Sequence, residues 1–95
     1  MSVFVRFKPT SLTAETYDES TRQLEEAGVE PRPEGLDYHV CFGKDGNLQV
    51  SEVWDSREQF ESFGERLRRM PVLAELGIEF SAGPEIFEVH KIVKR

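Results

Sequence analysis

The feature that most constrains this chain is a pair of strand-like runs set back to back around one turn signal. Leu36-Asp37-Tyr38-His39-Val40-Cys41-Phe42 alternates in character, Leu48 to Trp54 resumes the alternation, and Lys44-Asp45-Gly46-Asn47 separates them. A period of two is that of a β-strand, and Asp-Gly suits a tight hairpin whose two central residues take positive φ. Such a hairpin sets parity, because a one-residue slip would send every side chain to the opposite face. A two- or four-residue connection centred on Asp45-Gly46 places Cys41 opposite Val50, His39 opposite Glu52 and Asp37 opposite Trp54, all on one face. Tyr38, Val40, Phe42, Ser51 and Val53 then share the other face, an apolar set too large to leave in water.

The flanking segments supply the remaining elements. Val3, Val5 and Phe7 alternate with Phe4, Arg6 and Lys8 until Pro9, which cannot donate to a ladder, so a first strand runs over about residues 2 to 8. Helical spacing of Tyr17, Leu24 and Ala27 predicts a helix over 14–27, with Thr13 as its cap and Gly28 as its left-handed terminator. Pro31, Pro33 and Gly35 mark a loop. Ser56 caps a second helix over 57–70, and Gln59 can bond back to the Ser56 amide in a capping box. Phe60, Phe63, Leu67 and Met70 form its apolar stripe before Pro71 stops it. Pro71 to Leu76 reads as a short helical turn closed by Gly77. After Ser81-Ala82-Gly83-Pro84, the run Ile86–Val93 predicts a fourth strand.

The order is βαββαβ, an α+β domain over residues 1–95 of ferredoxin-like type. Right-handed crossovers make its four-stranded sheet antiparallel in the order 4-1-3-2, with both helices on one face. The uncovered face predicts a homodimer, which also helps a chain of 95 residues bury enough surface.

Charge and cysteine usage remove other classes. A formal net charge of −6 and a pI near 4.9 repel a phosphate backbone, so no nucleic acid partner is expected. Cys41 is the sole cysteine, which forbids an intrachain disulfide and suits a reducing compartment. Arg6 interrupts the first apolar run too early for a signal peptide, and no run approaches the roughly 20 apolar residues of a membrane span, so the expected location is the cytoplasm. No phosphate-binding Gly-rich loop, nucleophile elbow or metal-ligand spacing occurs, so neither a metal nor a cofactor is expected.

Val53-Trp54-Asp55-Ser56-Arg57-Glu58-Gln59-Phe60 resembles the strand-to-helix junction of antibiotic-biosynthesis-type monooxygenases, and Gly35-Leu36, His39 and Asp45-Gly46 resemble small members of the same dimeric α/β-barrel superfamily. The resemblance covers essentially the whole chain. It implies two ferredoxin-like sheets packed face to face, with a ligand site inside each subunit between the helices and the inner sheet face. Haem-degrading relatives take an iron ligand from a histidine of the second helix. Arg57 to Met70 contains none, which argues against haem.

On the inner face, His39 beside Glu52 is a sound acid/base pair, since the carboxylate can fix the imidazole tautomer and raise its proton affinity; the plain structural alternative is a cross-strand ion pair. Trp54 offers an apolar wall with one N–H donor, Tyr17 a phenolic hydroxyl from the first helix, and Phe63 a cavity roof. Cys41 lacks a basic neighbour and reads as an inert thiol, and His90, on the Ile86, Glu88 and Ile92 face, as structural. Two functions follow. One is a cofactor-independent monooxygenase, or an isomerase using the same pair, acting on a small hydrophobic or aromatic compound. The other is a non-catalytic ligand-binding or dimeric assembly module.

Overall fold

The computed structural model describes residues 1–78 and 83–94, which leaves Ser81 and Ala82 of the expected final turn outside the described residues. Seven elements follow in order: β1 (Val3–Phe7), α1 (Ala14–Glu26), β2 (Leu36–Lys44), β3 (Asn47–Trp54), α2 (Arg57–Arg68), α3 (Val72–Glu75) and β4 (Glu85–Glu88). The four strands form one antiparallel sheet in the order β2-β3-β1-β4, the expected order read from the other edge. The fold is the α+β, ferredoxin-like one predicted.

The hairpin parity holds over most of its length: Cys41 pairs with Val50 and His39 with Glu52. The turn itself differs from expectation. Gly46 has φ of 91°, but Ser11 is the sole non-glycine with positive φ among the described residues, so Asp45 does not share the mirror-image conformation. The register also shifts between Leu36 and Tyr38, which places Leu36 rather than Asp37 opposite Trp54. The irregularity brings an apolar side chain inward, where Leu36 is buried, and frees Asp37 to meet Lys94 at 2.6 Å.

The core lies on the face that holds Val3, Val5 and Trp54, with Leu36 and Phe60 closing it and Phe7, Phe63 and Ile86 packed around its rim. The α2 stripe supplies Phe60, whose ring sits 6.0 Å from both Phe7 and Trp54. Both predicted caps are present. Thr13 Oγ1 accepts from the Thr16 N–H at 3.0 Å, and Ser56 Oγ accepts from the Gln59 N–H at 3.2 Å. The reciprocal half of the capping box is absent, because the Gln59 side chain accepts from the Ser56 hydroxyl instead of reaching the backbone amide. Gly28, with φ of 91°, ends α1 as expected.

The last strand is shorter than Ile86–Val93. In the antiparallel pairing Glu88 lies opposite Val3, so residues beyond it run past the start of β1. The Val89 N–H reaches Ser2 O at 3.0 Å, and the chain then leaves the ladder. It crosses the face opposite the core. Ile92 joins Phe4, Tyr38, Val40, Ser51 and Val53 around a hollow of about 310 Å³. Lys94 reaches β2 at the far edge, 5.3 Å over the Tyr38 ring. His90 and Ile92 therefore do not continue a strand face with Ile86 and Glu88.

Candidate functional site

Helix α1 is tied to the β2–β3 hairpin at its first turn. Asp45 Oδ1 accepts from the Ala14 N–H at 2.7 Å, and the Leu48 N–H donates to Leu12 O at 3.1 Å. An otherwise orphaned helix N–H thus finds its acceptor on the turn between two strands. Nothing in the residue pattern singled out Asp45 for this task, although an acidic residue beside a glycine turn is the kind of acceptor a nearby helix start needs. The anchor sets Tyr17, one turn into α1, beside His39 of β2, with their rings 6.0 Å apart and inclined by 26°. Ser20 and Thr21 hydroxyls both donate to the Tyr17 carbonyl, at 2.7 and 3.2 Å, and stiffen the same turn.

Four side chains then form a continuous hydrogen-bonded row. The Trp54 indole N–H donates to Glu52 Oε1 at 3.0 Å, Glu52 Oε2 lies 2.6 Å from His39 Nδ1, and His39 Nε2 lies 2.6 Å from the Tyr17 hydroxyl. The row runs from the core outward: Trp54 has no exposed surface, Glu52 keeps 7%, and the His39 side chain keeps 34%. Burying a carboxylate is costly unless its oxygens are satisfied, and here each oxygen has a partner. Sequence parity had put His39, Glu52 and Trp54 on one face. The structure adds their bonds and brings in Tyr17 on the second imidazole nitrogen.

Trp54 is enclosed by Phe60 at 6.0 Å and Phe63 at 5.5 Å, so the space between α2 and the sheet at this level is occupied by rings. The hollow on the far sheet face and a furrow along α2, lined by Ser62, Glu65, Arg66, Arg69 and Met70, do not reach His39. Solvent access to the row is at its Tyr17–His39 end.

Burial pushes the Tyr17 phenol above its ordinary value of 10.0, with the Cys41 thiolate and the Glu52 carboxylate as further opposing charges, while a bond from Thr21 works the other way. Burial, followed by the Asp18 carboxylate, pushes the Cys41 thiol above 9.0. Cys41 should therefore react with iodoacetamide at pH 8 several-fold more slowly in the folded protein than after denaturation. Both shifts have one sign for stability. A folded-state pKa above the unfolded value keeps its contribution below the ordinary pKa and loses it as pH rises toward the folded value, so the urea midpoint should fall progressively above about pH 9.

No family model matches the chain, and no curated protein matches it. Solved structures do. A point variant of SnoaB, a cofactor-independent oxygenase from Streptomyces nogalater, superposes with a TM-score of 0.66 at 14% identity, over 99% of this chain and 98% of that one. A Deinococcus radiodurans protein named as a candidate antibiotic biosynthesis monooxygenase gives 0.60 at 12% identity over 100% and 98%. Rv0793 from Mycobacterium tuberculosis gives 0.54 at 13% over 98% and 95%. Near-complete coverage on both sides at such low identity is agreement in chain path, and the chain has the ferredoxin-like fold of antibiotic-biosynthesis-monooxygenase-type proteins.

Proposed function

We propose that the chain is a cofactor-independent oxygenase that takes a proton from a small hydrophobic, aromatic compound and leaves the resulting anion to react with molecular oxygen. The observation that carries this reading is the 2.6 Å contact between His39 Nδ1 and Glu52, held from beneath by Trp54. A carboxylate fixed on one imidazole nitrogen makes the other a base and stabilises the imidazolium that forms. His39 is the proton shuttle, Glu52 orients it, and Tyr17 borders the substrate, while Phe63 packs against Trp54 at the buried end of the row. Trp54 acts through Glu52. In the balanced reaction a ring carbon bearing two hydrogens becomes a carbonyl, one oxygen atom enters the product, and the other leaves as water with both hydrogens. The fold shared with SnoaB supports the class of reaction and does not name the substrate.

The working unit in this proposal is a cytoplasmic homodimer, whose second copy covers the face bearing Tyr38, Val40 and Phe42, each at least 39% exposed in the single chain. A second reading, a dimeric module without catalysis, draws on the ring packing that leaves no part of Trp54 open.

Oxygen uptake with 1,3-dihydroxynaphthalene, measured against the uncatalysed rate, separates the two. For the enzyme, His39→Ala and Glu52→Gln should each lower the rate by about 10²–10⁴-fold, the usual contribution of a positioned acid/base group. Uptake no faster than background, or indifferent to both substitutions, ends the oxygenase reading.

A further inference from the structure

Both nitrogens of His39 are occupied, Nδ1 by Glu52 and Nε2 by the Tyr17 hydroxyl, each at 2.6 Å. The donor directions along the row are constrained by chemistry. An indole nitrogen can only donate, so Glu52 Oε1 accepts from Trp54, and the carboxylate's second oxygen accepts from His39 Nδ1–H. A neutral imidazole with its proton on Nδ1 presents a lone pair at Nε2, and the Tyr17 O–H donates to it. The oxygen of Tyr17 then keeps its own lone pairs, at the end of the row that meets solvent. His39 itself has no nitrogen left to offer.

We propose that Tyr17 is the group that touches the substrate, and that its hydroxyl receives the proton of a phenolic or enolic hydroxyl while passing its own to His39. The substrate O–H bond breaks as a new Tyr17 O–H bond forms, and the original Tyr17 O–H bond breaks as His39 Nε2–H forms. The products are a substrate anion and an imidazolium paired with Glu52, so charge is conserved and no oxidant or reductant enters this step. Tyr17 is neutral before and after. Such a relay draws a proton only from a group whose acidity approaches that of an imidazolium, which selects activated phenols and enols over aliphatic alcohols. The Tyr17 and His39 rings, inclined by only 26°, offer a flat flank to an aromatic compound. Glu52 and His39 are positioning and relay residues, acting on the substrate through Tyr17.

The inference rests on the proton-abstraction reading, and its test is independent of oxygen. 4-Nitrophenol is the probe, because its anion absorbs visible light; binding is measured by equilibrium dialysis and ionisation from the spectrum of the bound fraction. In the wild-type protein, the bound probe should ionise with its apparent acidity constant raised by about tenfold or more. Tyr17→Phe, which keeps the ring, and His39→Gln, which keeps Tyr17, should both abolish the rise, with folding checked by circular dichroism. If Tyr17→Phe also loses binding, contact with Tyr17 is supported and His39→Gln decides the relay. A rise that survives Tyr17→Phe would mean that His39 meets the probe directly, and a wild-type protein that binds without the rise, or not at all, overturns the proposal. A rise without oxygen uptake would discard the oxygenase and keep the relay; uptake insensitive to Tyr17→Phe but sensitive to His39→Ala would do the reverse.

Discussion

Trp54→Ala should destabilise the protein by about 3–5 kcal/mol, the range for deleting a large buried aromatic side chain. Two losses combine at this position. The indole is wholly buried between Phe60 and Phe63, so its removal opens a void that rigid rings on either side cannot close. Its N–H is also the partner of Glu52 Oε1, and Glu52 is itself only 7% exposed. Trp54→Phe isolates the second loss: it refills most of the volume and leaves the carboxylate oxygen unpaired, at a cost of about 1–3 kcal/mol. Domains typically hold roughly 5–15 kcal/mol in all, so a loss of this size removes more than half of the stability of a domain at the lower end of that range. Urea unfolding followed by far-ultraviolet circular dichroism measures both. A loss under about 1 kcal/mol for alanine would mean that the cluster around Trp54 does not form the core described above.

The same residue shows what parity can and cannot reveal. Counting outward from Asp45-Gly46 placed His39, Cys41, Val50, Glu52 and Trp54 on one face, and the pairing of His39 with Glu52 follows directly from that count. The count fails at Leu36, because a register shift depends on which side chain gains more by turning inward, and burying Leu36 in place of Asp37 is the favourable choice. Strand β4 was overextended for a different reason. Ile86 to Val93 is rich enough in branched and aromatic residues to read as a strand throughout, but a strand needs a partner, and the β1 ladder ends where Val3 pairs with Glu88. The contact of Tyr17 with His39 depends on where α1 crosses the sheet. That is set by the Asp45–Ala14 bond between elements 31 residues apart, which no local periodicity encodes.

Val40→Glu should convert the proposed homodimer to a monomer, raising its dissociation constant by at least about two orders of magnitude. Val40 is 48% exposed in the single chain, so the glutamate costs the isolated fold little. Between two faces the same carboxylate would be stripped of water without a partner, and a two-fold interface would carry the penalty twice. The competing occupant of that face is the chain's own tail, since Ile92 shares the hollow with Val40 and Val53. Among the contacts that hold the tail is the Lys94–Asp37 pair, a type of contact that salt weakens and that a partner surface can displace. Removing residues 90–95 as a second variant distinguishes the two covers. If a second copy is the cover, the shortened chain should remain dimeric or pair more tightly, because more of Phe4, Tyr38 and Val53 becomes available to it. If the tail is the cover, the intact protein should sediment as a monomer at micromolar concentration and only the shortened chain should associate. Sedimentation velocity on the wild type, Val40→Glu and the shortened chain resolves these outcomes, and a wild-type monomer would remove the dimer from the proposed working unit while leaving the Tyr17–His39–Glu52 row, built within one chain, intact.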